Sequence, residues 1–337
     1  LGFANYSEYS IATKMVDSCE QVINFLEDLL AKSKPQAEQE LARLLRFAYD
    51  KDRLDDLQAW DIAYYSELLK QQTHNIDIEK IKEYFPTGHV MQGLFKILHK
   101  LYKINFTLVE KADTWHKDVE FYQISFDDGE LIGYIYIDLY ARSGKRSGAW
   151  MDECHTRYKQ TDGSIQLPIA YLNTNAAPAN GDKPALLDHN EVVTIFHEMG
   201  HCLQHLLTQI ETRGISGIAG VPWDAVELAS QMHEEFFWTQ EGLELISSHY
   251  QNGNKLPEDM QANLLAAKNF NSGLAMLRQL EFSLFDFKLH MQPQAEVYAT
   301  LAAVKEQVAI MNTPKYNRFA NSFSHIFAVA MPLATIV

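Results

Sequence analysis

The sequence predicts a mainly helical protein that carries a small β-sheet. Three observations predict it. Apolar residues recur at helical spacing through residues 1–84 and again from 254 onward. Aromatic and β-branched runs separated by a turn occupy residues 120–138. Between these regions lies an H-E-x-x-H pattern, His197-Glu198-Met199-Gly200-His201, on a segment that reads as a buried helix.

Val22, Ile23, Leu26, Leu29 and Leu30 mark a first long helix, and Lys34-Pro35 is expected to punctuate it. Leu41, Leu44, Leu45 and Tyr49 mark the next helix, and Trp60 to Leu69 a third. The aromatic residues here read as core. Phe85-Pro86-Thr87-Gly88 is a boundary signal, and Met91 to Tyr102 is helical again. Glu120 to Phe126 and Leu131 to Asp138 then form a hairpin across Asp127-Asp128-Gly129-Glu130. Lys145 to Gly148 reads as loop. Ile165 to Asn173 is a further strand, which Pro168 assigns to a sheet edge, where free N–H and C=O groups can hold an extended peptide. Arg213 to Gly220 has glycines at 214, 217 and 220. This is not a G-x-G-x-x-G fingerprint and it follows a helix, so a flexible loop over a cleft fits better than a nucleotide site. From Asn254 the chain is helical, with Ala266, Met276, Leu280, Phe285 and Phe287 as core candidates.

The 337 residues suffice for one large domain or two lobes. The formal charge of −15 argues against nucleic acid and anionic membranes as partners. No run of about eighteen apolar residues indicates a membrane span. The opening Leu1-Gly2-Phe3 has no basic or apolar leader character, and Cys19, Cys154 and Cys202 are too sparse for a disulfide framework. The expectation is a cytoplasmic monomer.

Chemistry concentrates between Thr194 and Leu203. Residues four apart lie one turn apart, so His197 and His201 can offer two imidazole nitrogens to one metal ion. Glu198 can take a proton from water in the metal's open position. No other charged residue lies in this stretch, so the helix should be buried. Asp188 and Glu191 form a capping-box start signal. Gly200 is costly inside a helix unless something approaches closely. His205 and His233 read as structural histidines.

The third ligand decides the class. A metzincin needs Gly at 204 and His at 207, where this chain has Gln204 and Leu207. A gluzincin needs a Glu from a following helix. Glu227 suits it; Glu211 is too close to fold back, and Glu234 and Glu235 lie deeper in an acidic run.

The segment from His197 through Trp223-Asp224-Ala225-Val226-Glu227 to Gln231 resembles the active-site region of the thimet oligopeptidase family of zinc peptidases. Trp60-Asp61-Ile62-Ala63-Tyr64-Tyr65, Asp138-Leu139-Tyr140-Ala141-Arg142, Gly148-Ala149-Trp150-Met151-Asp152 and Phe323-Ser324-His325-Ile326-Phe327 extend the resemblance across nearly the whole chain. It implies a gluzincin-type catalytic core between helical lobes lining a deep channel. It implies one Zn²⁺ held by His197, His201 and Glu227, Glu198 as general base, and short peptides as substrates. It also implies substrate contacts at His325, at Gly217 and Gly220 in the loop, and at Tyr171 in the strand flanking the cleft. On this basis residues 1–84 form the helical part of one lobe, 85–264 the zinc-binding catalytic lobe with the sheet, and 265–337 a helical segment. Family members are longer at both ends, so the chain is expected to be a fragment.

The tail departs from the family. Where members continue G-G-Y-A-A-G-Y-Y-S, this chain has Val329 to Val337. Both tails can be read from one nucleotide sequence in shifted frames, so a single-base deletion in the Ala328 codon would produce this tail. The resemblance assigns oxyanion-stabilising hydroxyls to the replaced tyrosines. A zinc-containing or peptide-binding remnant with little turnover is therefore the alternative expectation.

Overall fold

The computed structural model describes residues 2–314, 316–323 and 326. Helices α1 (Tyr6–Ile11), α2 (Cys19–Asp52), α3 (Asp61–His74), α4 (Ile78–Lys82) and α5 (Thr87–Tyr102) come first. The strands follow: β1 (Ile104–Leu108), β2 (Glu120–Phe126), β3 (Leu131–Tyr140), β4 (Trp150–His155), β5 (Tyr158–Lys159), β6 (Ile165–Gln166) and β7 (Ile169–Ala176). Helix α6 (His189–Leu206) is joined to α7 (Glu227–Phe237) through three 3₁₀ turns, Arg213–Ile215, Gly217–Gly220 and Trp223–Ala225. Helices α8 (Gln240–Ile246), α9 (Glu258–Ala266), α10 (Ser272–Met291), α11 (Val297–Val308) and α12 (Phe319–Ser322) complete the order. The chain is mainly helical with a small mixed sheet, as its residue patterns predict. No helix among the described residues is long and apolar enough to cross a membrane.

Two compact units divide the chain. One gathers Leu1–Asn75, Pro222–Asp224 and Ala266–Val337; the other gathers Ile76–Val221 and Ala225–Leu265. The first division falls at Asn75/Ile76 rather than at 84/85. The reason is burial and bonding: Ile76, Ile81 and Phe85 are buried, and Phe85, Tyr84 and Glu83 accept backbone bonds from Leu187, Ser248 and Tyr250 of the second unit.

In the first unit, α2 runs unbroken through Pro35, against the expectation that Lys34-Pro35 ends it. A mid-helix proline costs about 3 kcal/mol. The buried stripe Val22, Leu26, Leu30, Ala37, Leu41, Leu44 and Ala48 continues past it, and its first part packs with Leu277, Leu280 and Leu284 of α10 in one core. Each fully buried leucine contributes about 1.5–3 kcal/mol, so the stripe outweighs the proline. Leu280, Phe285 and Phe287 are buried as expected, whereas Met276 is half-buried and Ala266 exposed.

A buried carboxylate ties these two helices. The α10 N-cap, Asn271, provides no side-chain cap, leaving first-turn N–H groups without a partner inside their own helix. Glu40 of α2, only 2% exposed, accepts from Gly273 N at 3.2 Å and Leu274 N at 2.9 Å. Gly273 permits the approach, since a Cβ there would lie 2.8 Å from the Ala37 nitrogen.

The second unit holds a five-stranded sheet in the order β1-β2-β3-β7-β4. The β2–β3 hairpin turns at the predicted D-D-G-E, with Gly129 at φ +89° and its N–H bonded to Phe126 O at 3.0 Å. Strand β7 is interior, pairing parallel to β3 and antiparallel to β4, so the edge on this side is β4. The expected edge assignment fails because Pro168 sits just before the ladder, where its missing N–H costs nothing and its carbonyl accepts from Tyr134 N at 3.1 Å. Alternation sorts the sheet's faces. Gly133, Ile135 and Ile137, with Ala170 and Leu172, form the face toward α6; a Cβ at Gly133 would touch Leu206. Tyr134, Tyr136 and Tyr171 fall on the other face.

The Glu40 tie has a measurable consequence. Glu40→Ala leaves two buried N–H groups without an acceptor and should cost about 1–3 kcal/mol, whereas Glu40→Gln keeps one acceptor oxygen and should cost less. Denaturant midpoints of both variants check this ranking.

Candidate metal centre

Helix α6 begins as its sequence signals. Glu191 N donates to Asp188 Oδ1 at 2.9 Å, and Asp188 N donates to Glu191 Oε2 at 2.7 Å, a complete capping box. Val192, Ile195, Phe196, Met199, Cys202, Leu203 and Leu206 are buried, so the helix is packed rather than solvated. Gly200 marks the crossing with α7: a Cβ there would lie 2.7 Å from Ala229 O and from Ser230 Cα. The close approach expected from this glycine is therefore that of a second helix backbone.

The crossing brings a face of α7 against His197 and His201. Glu227 Oε2 lies 3.2 Å from His197 Nε2 and 3.1 Å from His201 Nε2. The three donor atoms lie within 4.8 Å of one another, a group that could hold a metal ion. Two imidazoles and a carboxylate are a donor set that suits zinc with an open position. Ser230 donates to Glu227 Oε2 at 2.7 Å and fixes the carboxylate. Behind the first imidazole, His197 Nδ1 lies 2.7 Å from Glu234 Oε1, which places a ring proton on Nδ1 and makes Nε2 the nitrogen that can give up its proton to bind a metal ion. Glu234, weighed as a ligand on sequence, thus orients a histidine. The signal for it was its spacing: Glu227, Ser230 and Glu234 stand at i, i+3 and i+7 on one helix face.

The electrostatics follow the geometry. Burial opposes charge on His197, but Glu227 and Glu234 outweigh it and push its pKa up to about 10. His197 and His201 hold the Glu227 carboxyl well below the usual range. Glu198, 6% exposed, is pushed up by burial, against the pull of the two histidines. The Met151 backbone N–H of edge strand β4 lies near its carboxylate and favours the charged form.

The other predicted residues stand apart from this cluster. Tyr171 projects on the sheet face away from α6, its ring 5.5 Å from Trp115 and 5.4 Å from Tyr136. Gly217, at φ +64°, and Gly220 are explained by packing: a Cβ would lie 2.5 Å from His205 Nδ1 at the first and 2.1 Å from Ile215 O at the second. His325 and the tail after Ala328 lie outside the described residues. His205 is buried with its Nε2 2.9 Å from His155 O, and His233 lies between Tyr102 OH and Ala229 O. Glu211 faces Arg157 at 3.8 Å.

Comparison with known proteins places this chain in a family of peptidases. The model of "Peptidase family M3" matches residues 1–331. Oligopeptidase A of Escherichia coli K12 is 49% identical over 333 residues, which are 97% of this chain and 49% of that protein. Oligopeptidase A of Haemophilus influenzae is 46% identical over 332 residues, with the same coverage. A probable cytosolic oligopeptidase A of Arabidopsis thaliana is 39% identical over 340 residues, 97% of this chain and 48% of its own length. The chain spans about half the length of these relatives.

The cluster's protonation gives a test of the donor set. With a pKa of about 10, His197 carries a proton at neutral pH, and that proton must leave before Nε2 can bind a cation. Zinc binding should therefore release about one proton per chain and tighten by about tenfold per pH unit between pH 6 and 8. Calorimetry in buffers of different ionisation enthalpy reads both quantities. Glu227→Ala should weaken binding; unchanged zinc occupancy in that variant would remove Glu227 from the set.

Proposed function

The chain belongs to peptidase family M3, and from that premise we propose that it is a zinc-dependent endopeptidase acting on short oligopeptides. The observation that carries the reading is the convergence of His197 and His201 of buried helix α6 with Glu227 of α7, beside Glu198. Zinc held by the three donors would polarise a peptide carbonyl and lower the pKa of water.

The protein's own groups have distinct tasks. Glu198 takes the proton from the attacking water and returns it to the leaving amine. Its burial favours the protonated form, which suits a group that must hold a proton between the two steps. The Met151 N–H beside it favours its charged form. Glu234 keeps His197 in one tautomer and one orientation. Edge strand β4 has one side without a ladder partner among the described residues, and there an extended peptide can pair by backbone bonds. Helical lobes lining a deep channel would restrict access to short unfolded peptides. A monomeric cytoplasmic enzyme is consistent with the acidic charge and three free cysteines.

A second reading rests on the tail sequence. Val329 to Val337 stand where the family has G-G-Y-A-A-G-Y-Y-S, so the chain would hold zinc and bind peptide yet turn over slowly. The two readings separate on one comparison. Replacing Val329–Val337 by the family segment should raise kcat/KM on a short peptide by about a hundredfold at equal zinc content, the scale of a lost oxyanion donor. Equal values would make the tyrosines dispensable.

Within the restored chain, Glu198→Gln should keep zinc and fold, since the amide is nearly isosteric. Its kcat should fall by about 10²–10⁴, the usual contribution of general base catalysis. Hydrolysis of a quenched fluorescent peptide at the parental rate would remove Glu198 from the mechanism.

A further inference from the structure

The edge strand that meets Glu198 is held at its start by side chains rather than by a ladder. Residues 141–149 cross the C-terminal ends of β3 and β7 before β4 begins. Two anchors fix the crossing. Lys145, its side chain 4% exposed, reaches Asp138 O at 2.8 Å, Asp138 Oδ1 at 2.9 Å, Tyr140 O at 3.1 Å and Thr174 O at 2.6 Å. These oxygens lie where the β3–β7 register breaks between Asp138 and Tyr140, so the ammonium satisfies carbonyls that the ladder leaves over. Asn175 of β7 holds the other end: its Nδ2 donates to Arg146 O at 2.8 Å and Gly148 O at 2.6 Å. The two hydrogens of one planar amide therefore both hold the segment. Gly148, at φ +95°, then turns the chain into β4. The first β4–β7 pair is Trp150 with Asn173, and the backbone of the next residue, Met151, lies beside Glu198.

We propose that Asn175 is a positioning residue: by clamping the Arg146 and Gly148 carbonyls it sets β4 where the Met151 N–H meets Glu198 and the strand's free edge meets a peptide. The proposal rests on the reading of Glu198 as general base, but the clamp itself can be measured without activity. Asn175 is half-buried, at the end of its strand, so its replacement spares the core. Without it, residues 146–149 keep Lys145 at one end only, and the first residues of β4 become free to open locally. Both the aim of Glu198 and the register of a paired substrate depend on those residues. A loss of folded molecules would lower kcat alone, whereas a displaced substrate-binding strand moves KM as well.

The experiment uses the full chain, zinc-loaded, with Asn175→Ala and Asn175→Asp. The aspartate keeps the shape but sets a carboxylate oxygen against two carbonyls. Asn105→Ala is the control; it removes a bond to Asp127 at the far end of the same sheet. Hydrogen exchange at the Met151 amide should be at least about tenfold faster in both Asn175 variants, with α6 amides unchanged and the control like the parent. In chains with parental zinc content, kcat on a short quenched peptide should fall by about ten- to a hundredfold and KM should rise several-fold, the scale of a small misplacement. Parental exchange at Met151 overturns the proposal whatever the activity. Faster exchange with unchanged kcat and KM reduces Asn175 to a structural clasp and overturns the positioning role. A parent that hydrolyses no peptide counts against the reading of Glu198, while the exchange result still decides the clamp.

Discussion

Everything at the candidate centre depends on a backbone-to-backbone contact at Gly200. A methyl group there would stand 2.7 Å from Ala229 O and Ser230 Cα, so any other residue would push α7 away from α6. Interhelical distances are set by the side chains at the contact. A shift of even an ångström or so would take Glu227 Oε2 beyond joint reach of the two Nε2 atoms, now 3.2 and 3.1 Å away. The helix penalty of glycine, about 1 kcal/mol, is small beside that requirement. Aromatic packing near the crossing supports it: Phe237 of α7 lies 6.4 Å from Phe196 of α6 and 6.1 Å from Phe85, and all three are fully buried.

Three glutamates of one chemical kind serve three purposes because their surroundings differ. Glu227 faces two imidazoles and Ser230, so it stays ionised. Glu234 stands one layer out and holds a single ring nitrogen. Glu198, on the same helix as the histidines, is the most buried of the three, and burial favours its proton-bearing form. Environments that drive like groups apart in proton affinity assign acid–base roles without any change of residue type. The positive charge that balances Glu227 is carried by protons on imidazole, and a divalent cation fits the same position.

What was legible in the sequence was local. The capping box, the H-E-x-x-H face, the D-D-G-E turn and the need for a close neighbour at Gly200 each depend on residues a few positions apart, and each appears where the pattern puts it. What was misread was non-local. Nothing near Pro168 reveals that β4, earlier in the chain, pairs outside β7 and takes the edge. Alternation puts Tyr171 on one of two faces, but only the packed fold shows that α6 covers the other. Pro35 reads locally as punctuation, whereas the apolar stripe on both sides of it is the better guide. Glu234 was in view as an acidic residue, yet its role required knowing that α7 crosses α6 with that face inward.

The centre is thus built from two separable parts. The donors His197, His201 and Glu227 belong entirely to α6, α7 and their crossing. The backbone beside Glu198 belongs to the sheet edge, whose start is held by the clamp of Lys145 and Asn175. Only Glu198 belongs to both, standing between the two histidines in sequence and meeting Met151 in space. A change in the sheet can therefore shift β4 while the donor set stays intact, and a change at the helix crossing can disperse the donors while β4 keeps its register. Metal content alone would then report only the helical part.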